Sequence, residues 1–304
     1  MTFIEAGGGM VPPPRDRKEK LIMRLGIAKK LSASSPNEWA AKCVELGIGA
    51  VNFPKKSTDS DAEIDSHVRA CRDHDLVIAE VGAWGCKPEP LTPENMAEKM
   101  RWRKRQLELA EYVGANCCVD ITGSAGDVWT GGCRENYDPG FQQAIIDGIR
   151  EIVDEVKPVR TFYTLEPMPW MIPYSPENYL EVLEKIDRPQ VAVHMDAINM
   201  INSPEKMLFS REFLDHCFEL LGPQTKACHL KNIKLETPLT VRLIESACED
   251  GDLDLLHYME LAHAVSPDMP MIIEHLKTEE EYLASLRYVQ DLIARSGKDL
   301  GFKR

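Results

Sequence analysis

The feature that most limits the possible folds of this chain is an eightfold alternation of short apolar runs and amphipathic segments. Each apolar run has the composition of a buried strand, and each is followed by a segment with helical spacing. The runs are 21–28, 50–53, 76–81, 116–121, 161–166, 191–196, 225–229 and 271–274. They are continuously apolar rather than alternating, which is typical of parallel strands covered on both faces. The pattern predicts an α/β protein, a single-domain (β/α)8 TIM barrel.

The sequence also indicates where several helices begin and where the barrel domain begins. Ser-Pro pairs at Ser35, Ser175 and Ser203 each precede an early Glu, a combination typical of a capped helix N-terminus. A doubly wound open sheet is the alternative fold, but no GxGxxG motif follows the first strand. The Gly- and Pro-rich start predicts a flexible lead-in over residues 1–20, and the barrel domain is assigned to 21–304.

Charge and cysteine usage limit the partners. The formal net charge of −13 disfavours binding to nucleic acid phosphates and to anionic membranes. No apolar run approaches the ~20 residues needed to span a bilayer, and the N-terminus lacks a signal-peptide core. Nine cysteines occur without a CxxC pair, which is typical of free thiols in a reducing cytosol. We therefore expect a cytoplasmic protein that contacts neither nucleic acid nor membrane.

Four metal-capable side chains end four successive strand-like runs: Glu166, Asp196, His229 and Glu274. In a barrel the carboxyl ends of all strands meet on one rim, so these side chains should converge. Three carboxylates close together would repel one another, and a divalent cation removes that conflict. A lone Glu at a strand end is more often a cap or an ion-pair partner, but four such positions predict a metal site. The donor set suits Mn²⁺, Mg²⁺, Co²⁺ or Zn²⁺ without choosing among them; Mn²⁺ is our working expectation.

Four short motifs carry a family resemblance. They are Leu165-Glu166-Pro167, Asp196-Ala197-Ile198-Asn199, His229-Leu230-Lys231 and Ile272-Ile273-Glu274. Through them the chain, from residue 21 to residue 295, resembles the xylose-isomerase-like TIM-barrel superfamily, which contains sugar isomerases, epimerases and endonuclease IV. In ketose 3-epimerases of that superfamily, the residues at these strand ends bind the metal and the two glutamates also move protons. The resemblance implies that Glu166 and Glu274 are the catalytic acid/base pair, with Asp196 and His229 as further ligands.

Two positions depart from the epimerase pattern. Those enzymes usually have a substrate-binding His three residues after the Asp, where this chain has Asn199. They also have an Arg six residues beyond the metal-binding His, and that position here is Leu235. Lys231 or Lys234 is the candidate replacement for the Arg. We include Asn199 and Lys231 among the expected substrate-binding residues.

Further substrate-binding candidates lie near the predicted rim. Glu80 and Trp84 end the third strand, where the family often lines its pocket, although Glu80 could equally be a structural acid. Trp170 follows Glu166 and either forms an apolar wall against a sugar ring or packs in the core. His194 is either a substrate-binding residue or a core histidine. His275 should point away from Glu274, because successive side chains of a strand alternate.

Four functions compete at this point. The leading hypothesis is a divalent-metal-dependent sugar isomerase or epimerase that removes a proton α to a carbonyl and passes through an enediolate. The alternative is a metal-dependent lyase or dehydratase acting on 3-oxo-sugars or glycosides, similar to the large subunits that cleave C-glycosides. An endonuclease would need more histidines and a basic rim, and a scaffold would be expected to have lost ligands. We expect a homo-oligomer, or a heteromer with a small partner subunit if the protein is a lyase.

Overall fold

Eight parallel strands form the central sheet of the computed structural model, which describes residues 23–84, 93–298 and 300. The strands are Arg24–Ile27 (β1), Ala50–Asn52 (β2), Val77–Gly82 (β3), Cys117–Asp120 (β4), Phe162–Leu165 (β5), Val191–Met195 (β6), Thr225–Leu230 (β7) and Pro270–Ile273 (β10). Their order is β1-β10-β7-β6-β5-β4-β3-β2. The N–H of Gly49 donates to the carbonyl of Leu25 over 2.8 Å, which links the two ends of the sheet and nearly closes it. The predicted (β/α)8 TIM barrel is confirmed.

Helices surround the sheet and connect its strands. They are Pro36–Glu45 (α1), Asp61–Asp73 (α2), Pro93–Val113 (α3), Pro139–Val156 (α4), Pro176–Ile186 (α5), Ala197–Met200 (α6), Pro204–Leu208 (α7), Ser210–Leu221 (α8), Leu255–Val265 (α9) and Glu279–Ser296 (α10). The predicted serine caps are present: Ser35, Ser175 and Ser203 each accept a hydrogen bond from a backbone N–H in the first turn. No helix in the described ranges combines the length and apolarity needed to cross a bilayer.

The connection after β7 contains an element that the sequence pattern did not predict. Two antiparallel strands, Asn232–Glu236 (β8) and Arg242–Ser246 (β9), form a hairpin. The segment that follows the Ser203 cap forms two helices, because α7 ends before Phe209 and α8 begins after it. The hairpin follows the carboxyl end of β7 directly, so it stands beside the rim where a barrel carries its active site.

The barrel strands are almost completely buried, as expected for a parallel sheet covered by helices. Small apolar side chains, among them Ala50, Ala79 and Ala227, form separate buried clusters apart from the large core beneath the helices. Buried polar side chains concentrate near the carboxyl ends of the strands. The predicted lead-in over residues 1–20 lies outside the described residues.

Candidate metal centre

Four adjacent strands bring the predicted metal ligands together. Glu166 follows β5, Asp196 follows β6, His229 lies near the end of β7 and Glu274 follows β10. These four strands are neighbours in the sheet order. One potential ligand atom of each residue lies within 4.8 Å of those of the other three. Widely separated parts of the sequence therefore form one cluster at the carboxyl rim.

The imidazole of His229 is at the centre of this cluster. Its Nδ1 lies 3.0 Å from Glu274 Oε2, 3.7 Å from Glu166 Oε1 and 3.8 Å from Asp196 Oδ2. This buried nitrogen has no hydrogen-bond partner among the described residues. Buried polar atoms are nearly always partnered, so an unpartnered imidazole nitrogen facing three carboxylates needs a reason. The donor set fits a divalent cation bound by one nitrogen and several oxygens.

Lys231 also reaches into the cluster. It lies two residues after His229, and the two-residue period of an extended chain returns its side chain to the same face. Its Nζ lies 2.6 Å from Asp196 Oδ2 and 2.5 Å from Glu274 Oε1, and only 1% of the side chain is exposed. Burial opposes the charged amine, but Asp196 and Glu274 outweigh burial and hold the pKa of Lys231 well above its ordinary value.

The ionised groups of the cluster stabilise one another. Burial opposes ionisation of Glu274, yet His229 and Lys231 hold the pKa of this carboxyl well below its usual range. Burial likewise disfavours protonated His229, but the carboxylates of Glu274, Glu80 and Glu166 hold the pKa of the imidazole well above its ordinary value. A metal ion that binds Nδ1 must therefore displace a proton from it, because metal ligands have to be deprotonated.

Glu80 and His194 lie behind the central imidazole. Both side chains are fully buried. The Nε2 of His194 lies 2.8 Å from Glu80 Oε2, and the Nε2 of His229 lies 3.4 Å from Glu80 Oε1. The structure thus places these two predicted substrate-binding residues on the side of His229 away from Glu166, Asp196 and Glu274, without access to solvent.

Of the remaining predicted substrate-binding residues, Asn199 and Trp84 contact the cluster, and Trp170 lies in the loop after Glu166. Asn199 Nδ2 donates to Glu166 Oε1 over 3.2 Å. The ring of Trp84 lies edge-on to that of His229, with 6.4 Å between the ring centroids. Trp170 is 39% exposed, and its Nε1 donates to the carbonyl of Thr130 over 2.7 Å. The contacts of these side chains with a substrate stay a prediction.

His275 was predicted to point away from Glu274, and that prediction is wrong. Its backbone φ of +61° is left-handed, so strand alternation does not continue past β10. Its Nε2 lies 3.5 Å from Glu274 Oε2, and its Nδ1 lies 2.9 Å from Glu245 Oε2. Glu245 belongs to the hairpin strand β9, which the sequence pattern did not reveal. The sequence signal that could have placed His275 beside the cluster is its position directly after Glu274 at the end of a strand.

The fold and the cluster define the class of protein: a (β/α)8 barrel with a carboxylate and histidine centre at the carboxyl ends of its strands. A family model described as xylose isomerase-like TIM barrel matches residues 38–292, and the chain belongs to that family. A comparison with curated protein sequences finds no match.

Solved structures of the same fold cover most of the chain. A xylose isomerase-like TIM barrel protein from Mycobacterium smegmatis in complex with magnesium is 15% identical, with a TM-score of 0.62 over 90% of this chain and 97% of that one. The 3-keto-D-glucoside 4-epimerase of E. coli is 16% identical, with a TM-score of 0.64 over 88% and 99%. Endonuclease IV of Thermus thermophilus is 14% identical, with a TM-score of 0.68 over 90% and 99%. At these identities the similarity establishes the fold.

Proposed function

We propose that the protein is a divalent-metal-dependent sugar isomerase or epimerase that abstracts a proton α to a carbonyl. The observation that carries this proposal is the placement of two glutamates at the ends of one arc of strands. Glu166 follows β5 and Glu274 follows β10, with β6 and β7 between them. A substrate bound over Asp196 and His229 would have one acid towards each end. Two positioned carboxylates are what a two-base proton transfer requires.

Each side chain has a distinct part in this scheme. A divalent cation held by Glu166, Asp196, His229 and Glu274 would supply Lewis-acid polarisation of the carbonyl and stabilise enediolate charge. One glutamate removes the α-proton, and the other returns a proton on the opposite face. Asn199 holds Glu166 by a hydrogen bond to Oε1, which orients the carboxylate. Lys231 adds positive charge beside Glu274, where it would stabilise a developing oxyanion.

Several observations support a sugar as the substrate. Trp84 offers aromatic surface beside His229, and Trp170 is a partly exposed aromatic side chain in the loop that follows Glu166. The E. coli neighbour is by name an epimerase of a keto-glucoside. The M. smegmatis neighbour contains magnesium, which supports a divalent cation without selecting Mn²⁺ over Mg²⁺.

A lyase or dehydratase on 3-oxo-sugars or glycosides is the second candidate, since it begins with the same proton abstraction. Leu235 favours this second candidate. Leu235 occupies the position at which ketose 3-epimerases have an Arg. It lies on the hairpin strand β8, and its side chain packs against the hydrophobic core. A nuclease is disfavoured despite the shared fold, because the cluster contains a single histidine and the chain has a net charge of −13.

Solvent deuterium exchange tests the proposal. Protein with Mn²⁺ is incubated in heavy water with free, phosphorylated and 3-oxo sugars, beside Glu166→Gln and Glu274→Gln. Glu111→Gln is the control, because Glu111 binds backbone groups ahead of β5, at the other end of the barrel. We expect deuterium to enter a sugar with wild type and with Glu111→Gln, but not with Glu166→Gln or Glu274→Gln. Loss of water or an aglycone would favour the lyase, and no metal binding with no exchange would overturn both.

A further inference from the structure

One buried carboxylate joins two imidazoles behind the cluster. Glu80 Oε1 faces His229 Nε2 at 3.4 Å, and Glu80 Oε2 faces His194 Nε2 at 2.8 Å. The two imidazole rings stand edge to face, with 4.1 Å between their centroids. Exposure is 0% for Glu80 and His194 and 1% for His229. A buried carboxylate without partners would be strongly destabilising, so both contacts matter to the fold.

Local strand irregularities position this group. Val51 pairs with Ile78, whereas Asn52 pairs with Glu80, so β3 contains one extra residue at this point. A register shift also occurs where β6 pairs with β7, immediately before His194. Such bulges redirect side chains and are common beside functional sites. The inward direction of Glu80 therefore depends on a local feature of β3 that strand alternation alone does not predict.

The carboxylate restricts the protonation of its neighbour. An ionised carboxylate accepts hydrogen bonds and donates none, so the nitrogen that faces it must carry the hydrogen. The hydrogen of neutral His229 then lies on Nε2, and the lone pair lies on Nδ1. That nitrogen faces the three carboxylates of the cluster and has no hydrogen-bond partner among the described residues. Each oxygen of Glu80 lies opposite an imidazole nitrogen, an arrangement that fits an ionised carboxylate.

We propose that Glu80 is a positioning residue that holds His229 as the Nε2–H tautomer and aims its Nδ1 at the metal centre. His194 fixes the second oxygen of Glu80 and thereby the orientation of the carboxylate. The inference rests on the proposed metal-dependent function, and it assigns Glu80 and His194 to metal affinity rather than to the substrate. Histidine ligands of metals commonly donate their other N–H to a carboxylate, and loss of that partner typically lowers metal affinity 10- to 100-fold.

Metal titration of Glu80→Gln tests the inference. The amide keeps the size of the side chain, but its NH₂ group cannot accept the hydrogen bonds of both imidazoles. The Mn²⁺ dissociation constant, measured by calorimetry or chelator competition, is expected to rise about 10- to 100-fold. Glu80→Asp keeps the carboxylate with a shorter reach, and we expect it to recover part of the affinity. Glu111→Gln, which removes a carboxylate far from the centre, should bind Mn²⁺ as wild type does.

A tautomer measurement provides a readout independent of turnover. Long-range ¹H–¹⁵N spectra of Mg²⁺- or Zn²⁺-loaded protein, assigned with His229→Gln, should show hydrogen on Nε2 of His229. Unchanged affinity in Glu80→Gln, or hydrogen on Nδ1 in the loaded wild type, would overturn the inference while leaving the metal site intact. Two metal ions per chain would also overturn it, because Glu80, His194 and His229 would then be ligands of a second ion. Wild type that binds no metal would instead refute the proposed function.

Discussion

Lys231 Nζ lies 2.6 Å from Asp196 Oδ2, inside the same cluster of carboxylates that forms the candidate metal centre. The ammonium also contacts Glu274, so two of the four potential ligands share one internal cation. A buried ion pair contributes little net stability, but removing one partner leaves an uncompensated buried charge. The ammonium and a divalent cation would therefore stabilise the same carboxylates.

This relationship predicts that the stability of Lys231→Met depends on metal. Without metal, the variant should lose about 3–5 kcal/mol of unfolding free energy, because Asp196 and Glu274 lose their ammonium. Saturating Mn²⁺ should restore most of the loss, since the bound cation compensates the same charges. Urea unfolding in chelator and in Mn²⁺ measures both values. Lys104→Met, which removes exposed pairs with Glu151 and Glu155, is the control and should cost less than about 1 kcal/mol. An equal loss with and without metal would contradict the argument.

Asn199 gives a second prediction, because its amide donates to Glu166 Oε1 over 3.2 Å. Asn199→Ala should lower the rate of proton exchange about tenfold, the equivalent of one hydrogen bond in the transition state. Asn199→Asp should be more harmful, since a second carboxylate beside Glu166 repels it. Exchange rates at saturating metal check both variants. Asn202→Ala removes a neighbouring amide that binds the carbonyl of Pro169 and should leave the rate unchanged. Equal rates for Ala and Asp variants would show that the charge at position 199 is unimportant.

Much of the fold could be predicted because local signals agree with the tertiary structure. Continuous apolar runs, serine caps and early glutamates are properties of short segments; the runs recur eight times along the chain, and the Ser-Pro caps occur at three helix starts. The convergence of Glu166 and Glu274 followed from one general rule, that parallel barrel strands end on the same rim. Neither prediction required knowledge of a side-chain rotamer.

The rest of the site depends on contacts that no short segment encodes. The bulge in β3 aims Glu80 at His229, and strand alternation cannot reveal a bulge. His275 turns towards Glu245 because of a left-handed backbone and an unpredicted hairpin. Substrate binding by Lys231 stays a prediction, and its contacts with two acids depend on strands that are distant in sequence. Side-chain networks of this kind follow from the tertiary fold.

The hydrogen bonds of Glu111 predict that the free energy of unfolding changes with pH in the acidic range. Its carboxylate accepts hydrogen bonds from the backbone N–H groups of Val159, Arg160 and Thr161. Burial opposes ionisation, but the Arg160 and Thr161 N–H groups outweigh it and hold the pKa of Glu111 below its ordinary 4.5. Because the folded-state pKa is lowered, this stabilisation is complete above the unfolded-state pKa and is lost as the pH falls through the folded-state value.

Glu111→Gln should therefore lower the unfolding free energy by about 1–2 kcal/mol at neutral pH. The difference from wild type should begin to shrink as the pH falls below about 4.5, the usual value of a Glu carboxyl in an unfolded chain, and should vanish below the lowered folded-state pKa, where the native carboxyl is protonated too. Urea unfolding between pH 3.5 and 7, as a rough window around that pKa, measures the difference. Glu219→Gln changes an exposed acid and should have little effect at any pH. A difference that is constant over the whole range would refute the linkage to this carboxyl.

Cysteine reactivity gives a last prediction, which concerns the rim loop that contacts Trp170. Burial raises the pKa of Cys43 and of Cys71 to about 12, so these thiols should be unreactive in the native protein. Among the cysteines of the described residues, Cys133 alone is not buried. Its Sγ lies 3.1 Å from Asn136 Oδ1, and the Asn136 amide donates to the carbonyl of Trp170.

The experiment uses a Cys86→Ser background, because Cys86 lies outside the described residues. At about pH 8, near the ordinary pKa of a thiol, the native protein should react rapidly with one equivalent of Ellman's reagent. Cys133→Ser in the same background should abolish the rapid phase, while denatured protein should still show its remaining thiols. The chemical step depends on thiolate and access, so the buried thiols should react only as the protein unfolds. A rapid phase that persists without Cys133 would mean that a second thiol of the native protein is accessible.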